Sequence, residues 1–267
     1  MRDKNLVKSQ IRRLCRPVSG GLVLAMASSL LLGVSTVSAA DARAKQAQGI
    51  YAITFSANSA LYRLNLRRHR ATLEGRTGVR LTDVAVRGRA LYAISFTDLY
   101  WLNTRTGARH KIGRLGISSA NALATRPKTN TLYGADRNGD LFTINARTGR
   151  ATIIGRFGRR LGSAGDLTFA DGHLYATVDR HGSKWSFLAT VNIRTGAANV
   201  IGPTGYRDVY GLVTKNRAIY GATLSGKFLA ICPITGRGRV IWNEGIAVGG
   251  LAAPSSSGTW LAAPAIC

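Results

Sequence analysis

The sequence predicts an all-β protein built from repeated four-stranded units, and three observations support this prediction. A short segment with an aromatic residue in second place recurs, with that aromatic at positions 51, 92, 133, 175, 220 and 260. The successive spacings of 41, 41, 42, 45 and 40 residues are nearly constant. Glycines and other turn signals interrupt each repeat too often for a long helix. A period near 41 residues with four strands per unit is the signature of a β-propeller blade.

Residues Leu132–Gly155 illustrate three strands of the unit. In Leu132–Asp136 and Leu141–Asn145, successive side chains alternate between two faces. Between these segments lies Asn138-Gly139, a dipeptide that favours the positive φ angles of a tight hairpin. A second turn that ends at Gly149 leads to a third strand. The period of two along these segments is that of β-strands.

A fourth strand, richer in alanine and glycine, follows the other three in each repeat. Small residues suit the crowded centre of a ring, so this strand is predicted to be innermost, with the other three following outward. The innermost strands are predicted to begin around Asp83, Asn121, Asp166, Asp208 and Val248.

Five four-stranded blades are predicted, with N-terminal outer strands and C-terminal inner strands sharing one blade. The segments around Tyr51 and Trp260 compete for one place in that blade. A sixth, degenerate blade and an open ring are the alternatives.

The repeat resembles that of secreted bacterial propeller proteins built on the unit L-Y-x-(I/L)-(D/N)-x-x-T-G-x-A-x-x-I-G, over about residues 50–262. The resemblance implies a propeller exported to the cell envelope or beyond. It implies no particular activity, because propellers serve as hydrolases, lyases, lectin-like modules and scaffolds.

Residues 1–39 are predicted to be an export signal. A basic leader precedes an uncharged segment that begins at Pro17, and Val37-Ser38-Ala39 places small residues before the expected cleavage site. The expected location is the periplasm or the extracellular space. An uncleaved membrane anchor is the alternative, because the uncharged segment is long enough to cross a bilayer. The propeller is assigned to residues 49–263, and residues 264–267 form a tail tied by Cys267.

The chain has a formal net charge of +25. Loss of residues 1–39 would remove six basic residues and one acidic residue, which leaves +20. Such an excess favours anionic polymers. An arginine-rich coding bias with a solvated surface is the competing explanation.

Cys232 and Cys267 are the two cysteines that would remain, and an isolated pair in an exported protein is expected to form a disulfide. The closed loop would contain 36 residues. Its closure would add about 3–4 kcal/mol to the free energy of unfolding.

The search for catalytic groups assigns no catalytic residue, no metal ligand and no cofactor. None of the four histidines lies within four residues of another histidine or a cysteine. Two glutamates remain after residue 39, so candidates for a general base are few.

The repeat does place two sets of polar residues in comparable positions. The first set, at the start of the inner strands, would converge on one mouth of the central channel, where it could hold a cation or orient a ligand; these channel-mouth candidates are Asp83, Asn121, Asp166 and Asp208. The competing interpretation is local capping of loops. The second set would form a basic rim on equivalent outer turns, namely Arg67, Arg105, Arg147 and Arg194.

The function favoured by these observations is an exported, non-enzymatic binding or scaffold module for an anionic envelope polymer or a protein partner. The alternative is a propeller lyase or hydrolase with a cation-assisted site at the channel mouth. Nucleic acid is not an expected partner, because no aromatic and basic stacking motif stands out. The membrane is expected to be a partner only through an uncleaved signal, and a monomer is expected.

Overall fold

The computed structural model describes residues 49–254 and Cys267. In this part of the chain the secondary structure is entirely β, and the strands form five antiparallel four-stranded sheets. We call these sheets blades A to E. The strands are numbered in chain order, and each blade is given below from its innermost to its outermost strand.

The blades share one meander and differ mainly in strand length. Blade A contains β20 (Val248–Ala252), β1 (Ile50–Thr54), β2 (Ala60–Asn65) and β3 (Arg70–Arg76). Blade B contains β4 (Asp83–Arg87), β5 (Ala90–Ile94), β6 (Asp98–Leu102) and β7 (Arg109–Arg114). Blade C contains β8 (Ala120–Arg126), β9 (Thr131–Asp136), β10 (Asp140–Ile144) and β11 (Ala151–Arg156). Blade D contains β12 (Leu161–Ala170), β13 (His173–Arg180), β14 (Ser186–Val191) and β15 (Ala198–Pro203). Blade E contains β16 (Val209–Lys215), β17 (Ala218–Thr223), β18 (Lys227–Ile231) and β19 (Gly238–Asn243).

The inner strands form a closed ring. β4 contacts β8 and β20, β12 contacts β8 and β16, and β16 contacts β20. The predicted five-bladed propeller is therefore confirmed, as is the order of strands within each blade. The six-bladed and open alternatives are wrong for this chain.

Blade A joins strands from the two ends of the chain, as predicted. β1 pairs with β20 through Ala52 and Leu251, and with β2 on its other side. The Tyr51 segment therefore forms the strand next to β20, which is the place for which the Tyr51 and Trp260 segments were expected to compete. Trp260 lies outside the described residues, as do the predicted export signal and residues 264–266.

Five hydrophobic clusters hold the blades together, one at each boundary between neighbours. Adjacent residues of one strand belong to the clusters on opposite faces of the blade. Leu141 packs against blade D and Phe142 against blade B, and both side chains are fully buried. The alternation read from the sequence thus buries both faces of each sheet, because each face meets another blade.

A backbone interlock reinforces each boundary. We call the turn between the third and fourth strands of a blade its outer turn. The outer turn of blade D approaches β11 so closely that a Cβ atom on Gly155 would lie 2.0 Å from the carbonyl oxygen of Thr195. The same contact recurs for Gly75 with Thr106, Gly113 with Thr148, and Gly202 with Thr235. At the fifth boundary, His69 stacks on Trp242 with 5.9 Å between ring centroids.

Gly155→Ala is expected to lower the free energy of unfolding by about 1–3 kcal/mol, because the added methyl group must displace backbone at the boundary of blades C and D. Urea denaturation of the purified protein measures the change. Thr152→Ala, on the exposed part of the same strand, is the matched control and should stay within about 0.5 kcal/mol of the native value. Equal midpoints for Gly155→Ala and the native chain would contradict the interlock.

Cys232 and Cys267 form a disulfide with 5.3 Å between their Cα atoms. Cys232 takes the place that asparagine has in the other repeats, at the start of the outer turn of blade E. The bond therefore ties the last residue of the chain to blade E.

Candidate functional site

Five equivalent backbone N–H groups surround the propeller axis, one from each inner strand. Strand register identifies their residues as equivalent, because each pairs with the small residue that directly follows the recurring aromatic residue of the next strand; they are Val84, Leu123, Leu167, Leu212 and Leu251. The inner edge of each sheet has no neighbouring strand in its own blade. These donors therefore need acceptors other than the backbone carbonyls of a neighbouring strand.

Two fully buried aspartates accept all five hydrogen bonds. Asp83 accepts from the N–H of Val84 at 2.7 Å and of Leu123 at 2.5 Å. Asp166 accepts from the N–H of Leu167 at 2.6 Å, of Leu212 at 2.6 Å and of Leu251 at 3.1 Å. The two carboxyl groups therefore join all five blades at the axis. We call Asp83 and Asp166 the axial pair.

The axial pair also contains a hydrogen bond between its two carboxyl groups. Burial raises the pKa of both aspartates well above the usual range, and the nearby Asp166 carboxylate raises the pKa of Asp83 further. The backbone N–H donors act in the opposite direction on both pKa values. Two adjacent buried carboxyls cannot both ionise readily, so the pair shares a proton.

The remaining blades place small residues at the position of Asp83 and Asp166. These residues are Ala122, Gly211 and Gly250. A Cβ atom on Gly250 would lie 2.1 Å from Asp83 Oδ1, so this glycine leaves room for the carboxyl group. Two aspartates and three small residues thus fill the axis.

The four channel-mouth candidates do not form one ring. Asp83 and Asp166 occupy equivalent positions on the axis, whereas Asn121 lies one residue earlier in its strand and donates from Nδ2 to the carbonyl of Ser163 at 2.9 Å. Asp208 is exposed with a φ of 52°, and its carboxylate lies close enough to Tyr210 to raise the pKa of that phenol after the larger effect of burial. The separation follows from strand irregularities near the axis in blades C, D and E, which shift residues that look aligned in sequence.

A cavity of about 370 Å³ lies on one side of the five axial residues. Its walls include Thr125, Thr168 and Thr214, and the latter two hydroxyls lie 3.1 Å apart. Its mouth is formed by the turns between the first and second strands of the blades, including Asp171 and Arg217, whose charged atoms approach to 3.7 Å. We call these the inner turns.

The inner and outer turns lie at the same end of each sheet, because the strands run antiparallel in sequence order. We call this end, with its inner and outer turns, the turn end, and the opposite end of each sheet, which carries the links between blades, the link end. At the periphery the two ends adjoin, because the outer turn of one blade packs against the link end of the outermost strand of the preceding blade. Asp171 is the one carboxylate in the described turns of the turn end. The basic residues in and beside these turns are Arg67, Arg68, Arg70, Arg87, Arg89, Arg105, Arg109, Arg126, Lys128, Arg147, Arg150, Arg194, Lys215, Arg217 and Arg237.

The basic rim lies within this distribution. Arg67, Arg105, Arg147 and Arg194 occupy the outer turns of blades A to D, and all four are exposed. In three of these turns an asparagine side chain accepts the N–H of the rim arginine at 2.9 Å, which fixes the turn. Blade E interrupts the rim with Ile234, which is 77 % exposed.

The link end carries charges of both signs and an aromatic cluster. Phe55 makes edge contacts with Phe96 and Tyr210, at 6.5 and 5.7 Å between centroids. The Arg80 guanidinium lies 5.6 Å from the Phe55 ring and that of Arg137 lies 5.0 Å from the Phe96 ring. A pocket of about 820 Å³ adjoins Arg137 and Tyr210 at the boundary of blades C and D.

The described residues contain no cluster of three or more His, Cys, Asp or Glu with the geometry of a metal site. In residues 49–254 no helix is long and apolar enough to cross a bilayer.

Comparisons with known proteins place the fold. No family model matches the chain, and no curated protein matches it in sequence. A crystal structure of a nidogen/laminin complex contains a chain that superposes with a TM-score of 0.54. The two chains are 14 % identical, and the match covers 77 % of this chain and 80 % of the other. At this identity the similarity concerns the fold alone, so the sequence resemblance to secreted bacterial propellers stays a prediction.

Proposed function

We propose that this protein is an exported, non-enzymatic binding module whose turn end engages an anionic envelope polymer. The observation that carries the proposal is the charge of the turn end, where many arginines and lysines surround a single carboxylate. Arginine binds phosphate and sulfate groups through its planar fork of N–H donors. Carboxylates at the link end, including Asp136, Asp140 and Asp179, reduce the positive charge there.

The axial pair favours binding over catalysis in this proposal. Its carboxyl oxygens already accept backbone N–H groups and are fully buried, so they are poorly placed to contact a substrate or a cation. The β-propeller fold is compatible with a binding or scaffold role, and the chain superposed here comes from a complex of two proteins. A protein partner is therefore the second candidate, favoured by the exposed side chains of Trp185 and Ile234.

A sulfated polymer tests the proposal with a neutral control of identical backbone. The purified protein is expected to bind dextran sulfate and not dextran, with affinity falling at least about tenfold between about 50 and 200 mM salt. Biolayer interferometry over a salt series measures both. Affinity that does not respond to salt, or equal binding to dextran, would reject polyanion binding.

Charge-matched variants locate the surface. Replacement of the four rim arginines by serine should weaken binding to dextran sulfate at least about tenfold, because four phosphate-like contacts and their released counterions are lost. The control replaces four link-end arginines by serine, namely Arg80, Arg137, Arg180 and Arg207, and removes the same charge. Equal losses in the two variants would show that net charge, and not the turn end, determines binding.

A further inference from the structure

Blade D departs from the common repeat at the link end. Its inner strand β12 has 10 residues and β13 has 8, whereas the other inner strands have 5 to 7. The additional residues extend the pairing beyond the ring, as in Gly162 with Asp179 and Ser163 with Val178. The ring itself does not need this extension, because four other blades close it without one.

The extension forms one wall of the pocket of about 820 Å³. Cationic and imidazole side chains are among the residues that line it, with Arg137 from blade C, Arg159 and Arg160 from the link between blades, and His181 from blade D. Arg160 has a φ of 62°, and its carbonyl accepts the N–H of His181 at 3.0 Å. A left-handed backbone conformation is unfavourable for arginine. The fold therefore maintains the orientation of the Arg160 side chain at a cost in conformational free energy.

Buried polar atoms in the wall lack partners. Ser163 lines the pocket and is 3 % exposed, and its Oγ has no hydrogen-bond partner among the described residues. Asn121, which donates to the carbonyl of Ser163, is 5 % exposed and its Oδ1 is likewise unpartnered among them. Buried polar atoms are normally satisfied, and of these two residues Ser163 lines the pocket, so its hydroxyl is the group in this wall that a polar ligand would engage.

Other groups at the pocket restrict the charge of that ligand. Asp179 lines it, and Asp208 lies close enough to Asp179 and Tyr210 to raise the pKa of both after the larger effect of burial. These carboxylates repel a doubly charged phosphate more than a single carboxylate and can accept hydroxyl hydrogen bonds. The half-buried Tyr210 ring supplies an aromatic surface on the same side.

We propose that this link-end pocket binds a sugar that carries one carboxylate, a residue of the uronate class, with Arg160 and Arg137 on the carboxylate and Ser163 on a hydroxyl group. An arginine fork matches a carboxylate in two parallel hydrogen bonds. None of the four rim arginines lines the pocket, so this proposal rests on different side chains from polyanion binding at the turn end.

Titration calorimetry with monomeric sugars tests the proposal on the full mature chain. Glucuronate or galacturonate should bind at least about tenfold more tightly than glucose, galactose or glucose 6-phosphate. Arg160→Gly removes the guanidinium and suits the local φ, so it should weaken uronate binding at least about tenfold without unfolding the protein. Ser163→Ala should weaken it by a smaller factor, and Arg147→Ala on the basic rim should leave it unchanged.

The proposal is overturned if uronates do not bind, if a neutral or phosphorylated sugar binds as well, or if Arg160→Gly retains native affinity. Dextran sulfate binding of the same variants separates the two sites. Arg160→Gly should keep its affinity for that polymer, so a failure at one end leaves the result at the other end interpretable.

Discussion

Asp166→Ala is expected to lower the free energy of unfolding by about 3–5 kcal/mol, the largest effect of any single substitution considered. Removal of the carboxyl group deprives three buried N–H groups, those of Leu167, Leu212 and Leu251, of their acceptor. It also leaves Asp83 without the group that shares its proton. Loss of one partner from a buried polar pair typically has an effect of this size.

Chemical denaturation followed by tryptophan fluorescence measures the effect, with Asp171→Asn as the control. The Asp171 side chain is 55 % exposed and its approach to Arg217 is long, and asparagine tolerates the φ of 47° at this position, so the substitution should change stability by no more than about 0.5 kcal/mol. A denaturation midpoint for Asp166→Ala equal to that of Asp171→Asn would show that the axial pair does not hold the inner strands together.

Stability is expected to fall as the pH rises through the range in which the axial pair loses its shared proton. The pKa of each aspartate is raised in the folded state, whereas an aspartate in the unfolded chain ionises near pH 4. Above about pH 4 the folded protein therefore holds a proton that the unfolded chain has released. The contribution is complete below that pH and is lost at about 1.4 kcal/mol per pH unit, up to the folded pKa.

Asp83→Asn isolates this effect. The amide cannot ionise and can donate to Asp166, so the variant retains one titrating carboxyl group at the axis, that of Asp166, whose pKa burial still raises, and it lacks the second titration of Asp83. One axial N–H group then faces the amide nitrogen and has no acceptor. This lowers the free energy of unfolding by a similar amount at every pH. Denaturation from pH 5 to pH 9 should show a steeper decline for the native chain than for the variant. Parallel profiles would mean that the pair does not retain its proton.

The repeat determined what could be predicted about the fold. Spacing of Tyr51, Tyr92 and their equivalents revealed the blade, and the small residues of the fourth strand placed it innermost. Those inferences depend on local turn chemistry and on burial of both sheet faces, which each repeat contains in full. The competition between the Tyr51 and Trp260 segments could not be resolved from sequence, because both have the pattern of the same strand.

The candidate sites were less accessible to sequence reasoning. Asp83 and Asp166 were selected together with Asn121 and Asp208, since all four precede an inner strand. Their different environments depend on one or two extra residues in the inner strands near the axis, and the hydrophobic pattern that follows gives no sign of these irregularities. The link-end pocket was missed entirely. The one available signal was the spacing of 45 residues after Tyr175, which marks the blade that contains extra residues.

The pairing of β1 with β20 has a consequence for how the protein folds. Ile53 and Gly250 are partners across 197 residues of sequence, whereas blades B to E form from adjacent hairpins. By loop-closure entropy, bringing such distant segments together from an open chain costs about 4–5 kcal/mol before any contact forms. Blades B to E should therefore assemble early and blade A last, which makes its docking the slow step of refolding. In native-state hydrogen exchange, the amides of β1 should exchange when β1 separates from β20, because this pairing is the last contact to form.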